Sequence, residues 1–252
     1  MMTFKIRGFF LKTTCLVLVI SSFIFCDKKE ITANEIISKS IEAHGGFNQW
    51  KQIDTLSFVK KTVLFTKKGL KEKEIKQYQS FSFGSSFNGA ITSLESDSTS
   101  LTLTSGLYSK SIGDSLLLIT EKELPALKNA FKSAYYVVSQ PFNLRESTAS
   151  FRYVKDTVLQ NKKTYVVNVS YEGDTEKSDL WTYYFNAQTF LVVACKVYHS
   201  PTMSYIQNIK FDSLTPFVFN AERESAFLKA DGTKDYLRAA YFYSDFKVIF
   251  KK

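Results

Sequence analysis

From Thr55 to Val248 the chain reads as a succession of short apolar runs with the two-residue period of β-strands, and no other feature limits the fold as much. Thr55–Thr66, Leu70–Phe83, Ala90–Leu94, Leu101–Thr104 and Leu116–Thr120 form a first set. A run from Phe151, then Tyr165–Tyr171, Leu180–Phe185, Phe190–Tyr198, Tyr205–Phe211, Phe217–Leu228 and Tyr236–Val248, form a second. Tyr165, Val167, Val169 and Tyr171 alternate with Val166, Asn168 and Ser170, the pattern of a sheet with one wet face. Strands do not alternate with helices, so the sheet is expected to be antiparallel. About eleven strands are too many to stay flat and open; such a sheet closes, splits or wraps around something.

Two helices are available to be wrapped. Thr32 and Glu35 form a T-x-x-E capping box, Ile37, Ile41 and His44 fall on one stripe, and Gly45 supplies a left-handed stop, predicting a helix over 34–44. The cap position suits His44, where a cationic imidazole would also favour the helix dipole. Leu124, Leu127, Phe131, Ala134, Tyr135 and Val138 predict a second helix over 123–138, packed on the sheet for stability or closing a groove as a lid. In the first strand the apolar parity flips near Lys60-Lys61, from Leu56 and Phe58 to Val63 and Phe65, which a bulge or a bend would explain. The expected fold class is therefore mainly β with two or so helices: a large curved antiparallel sheet, or half-open β-barrel closed by helices, in one domain over 33–252.

The amino terminus carries an address. Lys5, Arg7 and Lys12 precede an apolar run from Thr13 to Phe25 that ends at Cys26-Asp27-Lys28-Lys29, so residues 1–25 read as an export signal. The run is short of the roughly 20 residues that span a bilayer, although Phe9–Leu11 narrow the gap toward a signal anchor. A Cys at this junction resembles the lipobox of bacterial lipoproteins, with Cys26 acylated and residues 26–32 as a lipidated tether; Phe25 departs from the small residue usual there. Cys15 lies within the signal, so Cys195 stands alone in the mature body as a small buried hydrophobe. The formal charge is +9, and loss of Lys5, Arg7 and Lys12 leaves 30 basic residues against 24 acidic, scattered in short pairs. Nucleic acid is not an expected partner.

Catalytic vocabulary is thin. The histidines are His44 and His199, and H-E-x-x-H, C-x-x-C, G-x-S-x-G and the glycine-rich phosphate loops are missing, so no catalytic residue, metal or cofactor is expected. Glu222 and Glu224 share a strand face, and Asp174 lies near Glu176, but Arg223, Ala221 and Ser225 make the first pair an ordinary solvated face. What stands out is apolar surface, with 23 Phe and 14 Tyr, enough to fill a core or to line a cavity.

The pattern E-I-I-x-K-x-I-x-x-H-G-G-x-x-x-W-x-x-I-x-x-L over Glu35–Leu56, followed by hairpins, resembles uncharacterised Bacteroidota lipoproteins and, more remotely, the LolA/LolB lipoprotein-carrier superfamily. Tyr183–Val192 is similar to that family's strand, turn and T-x-L-V strand. The resemblance implies a half-open barrel whose concave apolar cavity holds lipid or acyl chains without catalysis. Such a protein would be held by its lipid anchor in a bacterial envelope, in the outer membrane, facing the periplasm or the surface. Phe58, Phe81, Phe83, Phe131, Tyr135, Tyr165 and Trp181 are the candidate lining residues. The competing expectation is a scaffold lipoprotein with a filled core that binds another envelope protein.

Overall fold

Thr32 opens the first helix by exchange with Glu35: its Oγ1 accepts the Glu35 N–H at 3.2 Å, and its own N–H donates to the Glu35 carboxylate at 2.8 Å. Helix α1 then runs Ala33–Ala43 and buries Ile36, Ile37 and Ile41. It stops in a Schellman turn, the Gly46 N–H donating to the Ile41 carbonyl and the Gly45 N–H to that of Glu42. Gly45 has φ +122°, and a Cβ there would stand 2.6 Å from the Phe217 ring and 2.8 Å from the Pro216 carbonyl oxygen, so only glycine fits. The short helix α2 (Phe47–Trp50) follows at once and delivers Trp50 onto Phe142, stacked at 4.3 Å.

The computed structural model describes residues 30–95, 98–146, 148–175 and 178–252. The signal segment, Cys15, Cys26 and Glu176 lie outside the described residues. Strands β1 (Ile53–Phe65), β2 (Lys71–Phe83), β3 (Phe87–Ser93), β4 (Thr99–Thr104), β5 (Leu107–Ile112) and β6 (Ser115–Leu117) form one meander. Helices α3 (Leu124–Val138) and α4 (Asn143–Glu146) interrupt it. The second meander is β7 (Ala149–Leu159), β8 (Lys162–Tyr171), β9 (Leu180–Asn186), β10 (Val192–His199), β11 (Thr202–Asp212), β12 (Phe219–Leu228) and β13 (Lys234–Phe250).

All thirteen strands join one antiparallel sheet in the order β6-β5-β4-β3-β2-β1-β13-β12-β11-β10-β9-β8-β7. The meanders thus meet where β1 pairs β13, and α3 lies in the connection between the two edge strands, β6 and β7. Laid flat, thirteen strands ~4.8 Å apart would set those edges nearly 60 Å from one another. A helix of fifteen residues reaches only about 22 Å at ~1.5 Å per residue, and the sheet curves around it. The result is the expected curved, open sheet. Its inner face packs Leu56, Phe58, Phe81 and Tyr183 against Ile36 and Ile41 of α1 and Phe131 and Val138 of α3 in one core.

The parity change at Lys60-Lys61 involves no bulge in β1. Strands β1 and β2 pair without interruption from Thr55↔Ser82 to Leu64↔Lys73. The irregularity lies across the sheet on β13, where Asp245 takes φ +56° and the register shifts between Ser57↔Lys247 and Val59↔Ser244. Lys60 therefore stays on the inner face with Leu56 and Phe58. Among the described residues no helix is long and apolar enough to cross a membrane.

Candidate functional site

Where the inner face continues past Phe58, its chemistry changes. Register places Lys60 opposite Gln77 on β2 and opposite Tyr243 on β13, while Arg223 of β12 lies opposite Tyr241 of β13. Over this area α3 presents Ala130, Ala134 and Val137, small enough to leave space, and a cavity of about 380 Å³ remains beneath the helix. That is within the ~300–1,000 Å³ usual for ligand sites. Ile91, Leu101, Ile206 and Trp181 continue its apolar wall; Lys60, Gln79, Gln140 and Arg223 form a polar one. Ser133, exposed on α3, lies at its margin.

The polar wall is cationic and lacks a counter-ion among the described residues. Arg223 is 3% exposed, and its partners are neutral: the Gln140 amide oxygen at 3.4 Å, Cys195 Sγ at 3.9 Å and the Tyr243 hydroxyl. Among the described residues its Nε has no partner, nor has the buried Oε1 of Gln79. The Lys60 ammonium sits 5.3 Å from the Tyr241 ring and 5.9 Å from that of Tyr243. Desolvation holds its pKa below the ordinary lysine value; the Tyr241 hydroxyl acts the other way and the Arg223 charge adds to the fall. Burial pushes the Cys195 thiol up, so it is a weak acid against the cation rather than a thiolate. A chain of neutral hydroxyls leads away from the site. Gln140 Nε2 donates to Tyr183 Oη at 3.1 Å, Tyr183 Oη lies 2.5 Å from Tyr136 Oη, and Tyr136 reaches Tyr171 at 3.2 Å.

Of the candidate lining residues, Trp181 borders this cavity. Phe58 and Phe81 are fully buried 6.3 Å apart, and Phe131 is buried against Tyr108. Phe83 and Tyr135 are half-buried neighbours at 5.7 Å, in a ring cluster with Phe87. Tyr165 lies away from them, half-buried against Phe190 and Tyr153. Lys60 and Arg223 were not among those candidates. The signal for both was parity: Lys60 shares a face with Phe58, and Arg223 shares one with Phe219.

Glu222 and Glu224 alternate with Arg223 and so face outward, Glu222 pairing with Lys210 at 2.7 Å. The outer face also carries two hollows, of about 470 and 500 Å³, around Glu224, Lys196, Gln207 and Asn186. Asp174 closes a turn by accepting the Tyr171 N–H at 2.7 Å. Among the described residues no three His, Cys, Asp or Glu side chains gather as a metal would need. His44 is the α1 cap, but neutral: it is 1% exposed, and burial lowers its pKa to about 4. The cationic imidazole expected at the dipole is thus overruled by desolvation.

Residues 9–203 match a family described as "Family of unknown function (DUF6503)". No curated protein matches the chain. Among solved structures it is similar to a LolA superfamily protein from Nitrosomonas europaea, with TM-score 0.56 and 11% identity over 88% of this chain and 96% of that one. A putative outer membrane lipoprotein-sorting protein domain from Vibrio parahaemolyticus gives TM-score 0.51 and 10% identity over 85% and 91%. A DUF1329 family protein from Desulfovibrio piger gives TM-score 0.54 and 6% identity over 87% and 94%. The fold shared with the LolA superfamily is the one found here.

Proposed function

This chain belongs to the DUF6503 family, and because that family is described as one of unknown function we propose its role from the geometry: an exported envelope lipoprotein that binds a lipid or other apolar ligand and performs no catalysis. The observation that carries the reading is the cavity of about 380 Å³ between α3 and the inner face, walled on one side by Ile91, Leu101, Ile206 and Trp181. Acyl chains bind such a wall by removing CH₂ groups from water, ~0.8 kcal/mol for each, with no directional chemistry. The shared fold with a LolA superfamily protein and a putative lipoprotein-sorting domain supports the same reading.

The order of basic residues, apolar run and Cys26 supports removal of residues 1–25, acylation of Cys26 and attachment to a membrane of the envelope through residues 26–32. Mass spectrometry of the native amino terminus tests this; an unacylated start elsewhere removes the anchor. For the ligand, the protein is purified from its own envelope, weighed under native conditions and extracted. A stoichiometric lipid is expected. Clean protein that also fails to bind a fluorescent fatty acid would transfer the role to the second reading, a scaffold for another envelope protein. The observation favouring that alternative is the exposure of Leu107 on β5, Leu116 on edge strand β6 and Leu118 just past it.

A further inference from the structure

Two cations, on β1 and β12, converge from either side of β13 on one cavity wall. Arg223 is buried with only neutral partners and an unpartnered Nε, and Lys60 is half-buried over two tyrosine rings. As structure alone this arrangement is costly. Each charge gives up water, the two repel, and no carboxylate among the described residues offsets either loss. An anion seated between them would satisfy the free guanidinium donor and relieve the repulsion; Gln79 and Gln140 also line the cavity, with their Nε2 groups donating to Gln77 and Tyr183. The rest of the wall, Ile91, Leu101 and Val137, is hydrocarbon.

We infer that this cavity takes an amphiphile with one anionic head, a carboxylate or a phosphate, held between Lys60 and Arg223 while its chain lies along Ile91, Leu101 and Val137 beneath α3. The inference rests on the apolar-ligand reading and adds the head group to it. A neutral lipid would leave both cations desolvated and unpaired; a free anion would leave the apolar wall unused.

Titration of the full-length protein, stripped of bound lipid, with dodecanoate, dodecyl phosphate, dodecanol and inorganic phosphate separates these cases. The two acids are expected to bind at least about tenfold more tightly than dodecanol, the scale of a charge-assisted hydrogen bond lost. Lys60→Met and Arg223→Met should each abolish that preference, and Arg223→Lys, which keeps the charge, should retain part of it. Should Arg223→Met fail to fold, Lys60→Met and Arg223→Lys carry the test. Equal affinity for acids and alcohol overturns the head-group assignment and leaves the apolar reading standing. Binding of none of the four overturns both. Inorganic phosphate binding as tightly as dodecyl phosphate overturns the amphiphile in favour of a free anion.

Discussion

His44 carries its proton on Nδ1, because that atom lies 2.7 Å from the Val218 carbonyl, which can only accept, while Nε2 receives the Val192 N–H at 3.2 Å. The ring therefore joins α1 to the starts of β10 and β12 as a neutral group, and adding a proton forces Nε2 to face another donor. With the pKa lowered from 6.5 to about 4, the unfolded chain takes up this proton first as the solution is acidified. The contribution is whole above pH 6.5 and is lost as pH falls toward 4, a decline of about 3 kcal/mol at ~1.4 kcal/mol per unit. Urea unfolding at pH 7, 5.5 and 4 should show that decline, and His44→Gln should flatten it; an unchanged slope in the variant would refute the assignment. The motif around His44 was legible because caps are local. Lys60 and Arg223 were legible only in part, since parity puts them inside while their charge argues for the outside. Charge prevails in an ordinary core, but not in a wall that faces a cavity.

Among the elements, α3 decides whether the inner face is core or cavity. At the middle of the helix Phe131 presses on Gly89 of β3, where an added Cβ would lie 2.9 Å from the ring; on the face beside it, Ala130 and Ala134 leave room. Phe131→Ala should cost about 3–5 kcal/mol, as for other fully buried aromatic side chains. Gly89→Ala should cost about 1–3 kcal/mol by overpacking the same contact. Combined, Gly89→Ala should recover part of the loss in Phe131→Ala, because the new methyl group enters the vacated space. Denaturant midpoints of the four proteins form the double-mutant cycle, and strict additivity would refute the contact. The period of α3 was plain from its sequence and matches the observed helix to within a residue at its start. Strand β5 was not, since Leu107-Tyr108-Ser109-Lys110-Ser111-Ile112 is short and polar, and is held as a strand by β4 and β6 on either side. Nor could the sequence partition its aromatic residues, because core and lining use the same side chains.

For the molecule as a whole, the joint between the two meanders is its mechanical centre. Beyond the backbone pairing of β1 with β13, it carries Phe58 of β1 against Tyr243 and Phe246 of β13, ring centres 5.9 and 5.4 Å away. A chain ending at Asp231 loses β13 and should show no single cooperative unfolding transition, whereas deleting Ser115–Leu117, an edge strand, should leave one. Calorimetry distinguishes them, and a truncated chain that still melts cooperatively would show the halves to be independent. The order of synthesis gives this arrangement a consequence in time. Ile53 must wait for Phe250, so as the nascent chain lengthens it holds two part-built sheets with unpaired margins until β13 arrives. Contacts this distant along the chain make folding slow. During that interval the growing polypeptide is open to aggregation, and the export proposed above would have to act within it.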